Sequence, residues 1–270
     1  MSQKREDGTD TLASRLKGYE VTYETNIEYD KFIVVRLDGH KFSKYTKKYN
    51  KPFDSFLSAA MEFATKELVE RFGAVTGYTQ SDEITLIFPP QWQMNGDDVH
   101  NNQVFRGRLQ KIVSLFASYC SVKFNNYMID ALSGFTYDEQ VNRKVGEAYF
   151  DARIYGVPTA EEAFNSVMWR VRDALKNSYS MYAQAYVPHK QLLNLNSYEQ
   201  IQLCKDITGN DWNTVDDRYK YGVLIKKELY QKVSSGVEVT RSRYVSWSEK
   251  LTSFSPEGVK MVNSKYKPEV

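Results

Sequence analysis

Apolar residues follow two rhythms along this chain. Short β-branched runs, Phe32-Ile33-Val34-Val35 and Thr85-Leu86-Ile87-Phe88, predict strands. Asp38-Gly39 breaks the first strand, and the polar turn Gln80-Ser81-Asp82 leads into the second, at Glu83. Between them Leu57, Met61, Ala64, Leu68 and Phe72 recur at helical spacing, with Asp54 or Ser55 placed to cap the helix and Gly73 to stop it. The pattern predicts strands over Phe32–Leu37, Ala74–Thr79, Glu83–Phe88 and Glu147–Tyr155. A short amphipathic helix is expected over Thr11–Tyr19, with Leu12 and Leu16 on one side. A long helix over Val104–Met128 carries Phe105, Leu109, Ile112, Phe116 and Tyr119 in period.

The loop opened by Pro89-Pro90 runs through Asn102 and reads as mobile. After Pro158 the chain becomes more helical, over Ala160–Tyr179 and Ser197–Thr208, before a basic, β-rich end from Tyr219 to Tyr244. The first half therefore runs β-α-β-β-α-β, the order of the split-βαβ, ferredoxin-like fold. The expected class is α+β: an antiparallel sheet with helices on one face, plus a helical and β-rich C-terminal extension. Residues 1–158 would form the catalytic region and 159–270 a region packed on it. Right-handed crossovers make strands one and two parallel, with strand three antiparallel between them. Asp38 and Asp82, 44 positions apart, then meet at one rim of the sheet.

Composition adds constraints rather than an answer. A chain of 270 residues that is 41% hydrophobic can bury a core, and its formal charge of +2 names no partner. Charge distribution says more. Lys41 to Lys51 holds five lysines and no acid, and Arg218 to Lys250 holds eight basic residues against three glutamates. Tyr219, Tyr221, Tyr230, Tyr244 and Trp247 lie among the latter, a mixture suited to RNA backbone and unstacked bases. A solvated strand face is the alternative. Cys120 and Cys204 form no framework, with Cys120 on an apolar helical face, and His40, His100 and His189 have no zinc-type spacing. With no signal-peptide core and no apolar run of membrane length, a cytoplasmic protein is expected.

Two carboxylates a few ångströms apart are costly unless a cation joins them. Hard oxygen donors suit magnesium together with substrate phosphates, so Asp38, Asp82 and the Gly39 carbonyl could hold a pair of ions over a nucleoside triphosphate. Gly39 to Phe42 can turn backbone N–H groups toward phosphate. Arg108 and Lys111, three apart on the long helix, could clamp a triphosphate. Each feature alone has a bland reading: a strand-ending Asp-Gly, a Ser-Asp hairpin turn and two surface charges.

Several of these stretches resemble one family. Arg36-Leu37-Asp38-Gly39-His40-Lys41-Phe42, Asn50-Lys51-Pro52-Phe53-Asp54 and Gln80-Ser81-Asp82-Glu83 resemble motifs of the tRNA(His) guanylyltransferases, 3′–5′ nucleotide-adding polymerases that act on RNA 5′ ends. Tyr149-Phe150-Asp151-Ala152-Arg153, Trp169-Arg170 and the helix Leu12 to Glu20 resemble the guanylyltransferase-like branch. The resemblance implies a polymerase-like palm on which a nucleotide 3′-hydroxyl attacks a 5′ end activated with ATP or GTP. It implies that Asp38 and Asp82 ligate two magnesium ions, with the Gly39 carbonyl assisting and Glu83 in support. Gly39, His40, Lys41, Phe42, Ser43 and Ser81 would contact nucleotide. Lys51 and Asp54 would serve adenylylation, and Arg108 and Lys111 would grip triphosphate. tRNA is the implied partner and a homotetramer the implied assembly.

There are departures from the family pattern. Where the eukaryotic enzymes carry a histidine-led segment for tRNA(His) recognition, this chain has Asp173-Ala174-Leu175-Lys176-Asn177-Ser178-Tyr179, and Ser43 replaces a histidine. The implied activity is therefore template-dependent repair of tRNA 5′ ends, with tRNA(His) G-1 addition as the alternative. Asp151 to Arg153 reads as a structural ion pair on strand four. A nucleotidyl cyclase on the same palm and a non-catalytic RNA-binding protein are the rivals from other classes.

Overall fold

The run Phe32-Ile33-Val34-Val35 has no polar alternation because both faces of its strand are covered. Ile33, Val35 and Leu37 enter one buried cluster, while Phe32 and Val34 enter another on the opposite face. This sheet is the frame of the chain in a computed structural model, which describes residues 11–91, 103–134, 139–142, 144–234 and 237–268.

The described chain begins with α1 (Leu12–Thr22), β1 (Phe32–Gly39), the single turn α2 (Phe42–Tyr45), α3 (Ser55–Phe72), β2 (Thr76–Gln80) and β3 (Glu83–Phe88). It continues through α4 (Leu109–Leu132), the short α5 (Glu139–Asn142), β4 (Phe150–Val157) and α6 (Ala160–Tyr186). The remainder is α7 (His189–Leu192), α8 (Ser197–Thr208), α9 (Asp217–Tyr221), the hairpin β5 (Val223–Ser234) and β6 (Val237–Trp247), and α10 (Pro256–Asn263). The strand order is β4-β1-β3-β2-β5-β6. β3 is antiparallel to both β1 and β2, so β1 and β2 run parallel with β3 between them, as the β-α-β-β-α-β order requires.

The palm helices α3 and α4 cover one face. Ala60, Met61, Ala64 and Leu68 of α3 and Ile112, Phe116, Cys120 and Phe124 of α4 close over Ile33, Val35, Ile84 and Leu86. The C-terminal extension then covers the other face. Ala163, Phe164, Val167 and Val171 of α6, with Val262 of α10, pack on Phe32, Val34, Tyr78 and Ile87. The basic end extends the same sheet, with Thr79↔Val223 to Gly77↔Ile225 joining β5 to β2.

One buried cation fastens this edge. Lys226 is fully buried on β5, and its Nζ donates to the Val75 carbonyl at 2.8 Å, Thr76 Oγ1 at 2.6 Å and the Ser264 carbonyl at 2.6 Å. Burial lowers its pKa to about 7. Among the described residues, no helix is long and apolar enough to cross a membrane.

Several boundaries differ from expectation. β4 starts at Phe150 rather than Glu147, because the preceding backbone is used elsewhere: Ala148 exchanges hydrogen bonds with the Asn125 amide, and the Tyr149 carbonyl accepts from His40 N–H. α6 runs past Tyr179 to Tyr186, since Tyr182 and Ala183 enter a third cluster with Leu192, Cys204 and Trp212. The long helix begins at Leu109, not Val104. Phe105, Arg106 and Gly107 are left-handed, and the Ile27 carbonyl approaches to 2.4 Å of where a Gly107 Cβ would stand. Arg108 is therefore a cap outside the helix, and it does not share a helical face with Lys111. The polar loop expected through Asn102 lies, over 92–102, outside the described residues.

Candidate active site

β1 ends in a charged row. In the sheet register Asp38 stands opposite Glu83 of β3 and opposite Asp151 of β4, so three carboxylates face the same way on adjacent strands. Such a row is repulsive unless each member is answered. The outer two are answered by arginines. Glu83 is held by Arg170, a nearly buried α6 residue that also donates to Asp173 at 3.1 Å. Asp151 lies 3.6 Å from Arg153 Nε, the ion pair expected on this strand. Asp38, in the middle, has only the fringe of Arg153, at 3.9 Å.

Asp82 joins Asp38 from the turn between β2 and β3. The Gly39 N–H donates to the Asp82 carbonyl at 3.1 Å, which docks one turn on the other. Burial, and then the Asp38 carboxylate, push the Asp82 pKa up to about 6. Glu83 is also raised by burial, against the opposing pull of Arg170. Among the described residues, no three His, Cys, Asp or Glu side chains surround one cation position. The two carboxylates that are not saturated by arginine, beside the Gly39 peptide, are what the rim offers a cation. Their mutual penalty is the kind that a divalent ion removes.

Both turns hold left-handed non-glycine residues, Lys41 at φ 54° and Ser81 at φ 53°. Conformations of this kind persist where surrounding structure enforces them. Here Phe42 is the enforcing anchor, buried among Tyr45, Phe124 and Phe150. Its ring lies so close over Gly39 that an added Cβ would come within 2.2 Å of it. Gly39→Ala should therefore displace the Phe42 turn, costing about 1–3 kcal/mol of stability. Nucleotide addition should fall by at least about tenfold. Urea unfolding and turnover measured on the same preparation check both. His40 stacks on Tyr149 with ring centroids 4.8 Å apart, at the β4 side of the turn.

A cavity of about 490 Å³ opens beside the rim, lined among others by Phe42, Ser43, Lys51, Asp54, Ser81 and Asp82. Its size suits a nucleotide. Asp54 takes part as an organiser: its carboxylate accepts from the N–H groups of Asn50, Phe56 and Leu57, capping α3 and fixing the loop that carries Lys51. A smaller cavity of about 240 Å³ lies on the other side of the Ser81-Asp82 turn, against Arg170, Asp173, Asn177 and Gln184 of α6.

Arg108 and Lys111 are not brought to this rim. Arg108 bridges to Asn26 and lies 3.4 Å from Glu24, and Lys111 sits over the Phe105 ring. Phe105 packs on Phe72, and Phe72 on Phe116, whose ring meets Phe88 at the finish of β3. Glu83 begins that strand, so the two cations belong to its opposite end. Sequence reading also passed over Arg170 and Gln184. Arg170 was detectable as a lone cation inside the apolar series Ala163, Val167, Val171 and Ala174, a position that demands a carboxylate partner.

Comparison with known proteins agrees with this geometry. The family model of tRNAHis guanylyltransferase matches residues 13–158. An uncharacterised protein of Acanthamoeba polyphaga mimivirus is 35% identical over 266 residues, covering 94% of this chain and 90% of its own. The tRNA(His) guanylyltransferase of Debaryomyces hansenii is 26% identical, covering 78% of this chain and 79% of its own. A bacterial tRNA(His) guanylyltransferase-like protein solved in complex with ATP superposes with a TM-score of 0.74 at 33% identity, covering 90% of this chain and 94% of that one. Its complex with GTP gives 0.68 at 33% identity, covering 88% and 91%. The chain is a nucleotidyltransferase of the tRNA(His) guanylyltransferase family.

Proposed function

We propose that this enzyme adds nucleotides in the 3′–5′ direction to the 5′ end of tRNA, using magnesium, and that its task is template-dependent repair of shortened 5′ ends. The observation that carries the reading is the meeting of Asp38 and Asp82 at the mouth of the nucleotide-sized cavity. ATP and GTP occupy the bacterial relatives named above, which supports the same ligands here.

In this reading Asp38 and Asp82, with the Gly39 carbonyl, hold two magnesium ions. Bound there, the ions would lower the pKa of the attacking hydroxyl and neutralise charge on the triphosphate. The protein does the rest. Glu83 keeps the Ser81-Asp82 turn in place through Arg170, and Arg153 limits the swing of Asp38. Ser43, Ser81 and the backbone of Gly39, His40, Lys41 and Phe42 bind nucleotide. Lys51, fixed by the Asp54 cap, meets the activated 5′ phosphate.

Repair is favoured over obligatory tRNA(His) guanylation by the wall of the smaller cavity. Asp173 and Asn177 stand where the family's eukaryotic members place the histidine-led segment, and Asp173 is already committed to Arg170. Arg108 and Lys111 would reach a nucleotide at this rim only from another copy, which supports the homotetramer as the working assembly.

A tRNA lacking its first 5′ nucleotide, offered each nucleoside triphosphate separately, tests the proposal. Incorporation of only the complement of the opposing base is expected. Addition of G to tRNA(His) alone, or cyclisation of ATP without RNA, would overturn it. A second measurement tests the ion site. Asp82 takes up its proton near pH 6, so magnesium should raise the unfolding temperature at pH 7.5 and lose that effect by about pH 4.5. An equal rise at both values would exclude Asp82 as a ligand.

A further inference from the structure

Trp169 is half exposed on α6, an unusual position for an indole one residue from the buried Arg170. Two guanidinium groups lie over its ring: Arg36 Cζ at 5.3 Å from the centroid and Arg170 Cζ at 4.8 Å. Both belong to the rim. Arg36 precedes Asp38 by two residues on the same face of β1, about 7 Å along the strand. Arg170 is the residue that holds Glu83.

The surroundings are set for a ligand that is flat and anionic at one end. Arg36 Nε is buried and has no hydrogen-bond partner among the described residues. Arg153, more than half exposed, faces Arg36 across the β1–β4 register and extends the cationic strip along the edge strand. Charge and ring together match a nucleotide: phosphate toward the arginines, base on the indole. The position also separates this surface from the large cavity. Trp169 lies with Arg36, whereas the Lys51–Asp54 loop and Tyr219 of α9 line that cavity without it.

We propose that Trp169 is a stacking platform for the terminal base at the 5′ end of the RNA, held flat by Arg36 and Arg170 beside the two carboxylates. The inference rests on the nucleotidyltransferase reading and adds a positioning residue for its RNA substrate. A stacking surface has no preference among bases, since every base offers a π face. The platform therefore fixes where the end of the acceptor stem lies and leaves the choice of nucleotide to pairing.

Stacking on an aromatic side chain contributes about 1–3 kcal/mol per base. Trp169→Ala should thus weaken binding of a 5′-triphosphorylated RNA stem-loop by about 5- to 150-fold. Trp169→Phe should recover most of that affinity, and Mg–ATP binding should be the same in all three proteins. The decisive probe is the same stem-loop with an abasic 5′-terminal residue. Wild type should lose affinity for it, and Trp169→Ala should bind both RNAs nearly equally. Equal affinity of wild type and Trp169→Ala for the intact stem-loop would overturn the platform. So would an alanine penalty that persists undiminished with the abasic end. These readouts need no chemistry: a wild-type enzyme that binds the stem-loop in this way but never elongates it would overturn the function and leave the platform standing.

Discussion

Asp82→Asn is expected to abolish nucleotide addition while leaving a protein that unfolds at a higher temperature than wild type in EDTA at pH 7.5. The loss of activity follows from removing one of two carboxylates at the proposed ion site. A several-kcal/mol contribution to transition-state charge corresponds to about three orders of magnitude in rate. The gain in stability follows from the raised pKa of Asp82. In the unfolded chain this carboxyl loses its proton near its ordinary value of 3.8, and in the folded chain only near 6. Between those values the native state holds a proton that the unfolded state has released, so the penalty of the folded carboxylate grows as pH rises and is complete above about 6. A neutral amide never incurs it. The advantage of Asp82→Asn should therefore be full at pH 7.5 and vanish as pH falls below about 4. Thermal unfolding across that range, with chelator, is the measurement. A variant less stable than wild type at pH 7.5 would mean that Asp82 is structural. Asp38→Asn should lose activity to a similar extent, and an active variant at either position would remove the two-carboxylate mechanism.

Glu83→Ala should be the most damaging single change to the fold at the site. Arg170 is less than a tenth exposed and relies on Glu83 and Asp173, while its Nε is already without a partner. Deleting one partner of a buried pair leaves an uncompensated charge and costs about 3–5 kcal/mol. Asp173, more exposed and on the same helix, cannot replace the strand anchor. Chemical denaturation of Glu83→Ala and of the double variant Glu83→Ala, Arg170→Met separates the two contributions. The double variant should recover more than half of the lost stability, because methionine leaves no buried cation. If the single variant loses less than about 1 kcal/mol, Arg170 is solvated in the folded state and the anchor is not what holds the turn.

Much of this site was legible in the chain. β-branched runs next to Asp-Gly and Ser-Asp turns gave β1 and β3. The right-handed crossover rule then forced Asp38 and Asp82 to one rim, which is where the Gly39–Asp82 backbone hydrogen bond lies. What failed to show was set by tertiary contact. The helical period through Phe105, Leu109 and Ile112 placed Arg108 inside a helix, yet the approach of the Ile27 backbone to Gly107 breaks that segment. α2 is too short to have a period, and α10 is capped by Ser255 in a stretch with few apolar residues. The committed state of Glu83 was likewise invisible, because its partner is 87 residues away on a helix that periodicity alone would bury without comment.

The Lys226 contacts carry a practical consequence for handling this enzyme. The same ammonium touches the backbone before β2 and the residue that follows α10, and Thr76 beside it donates to the Val262 carbonyl. β2 leads directly into Ser81 and Asp82. An affinity tag appended after the last residue should be tolerated, whereas a deletion that removes α10 would strand a cation at the root of the strand that delivers the proposed ion ligand, and the truncated enzyme should fail at its chemistry well before it fails to fold.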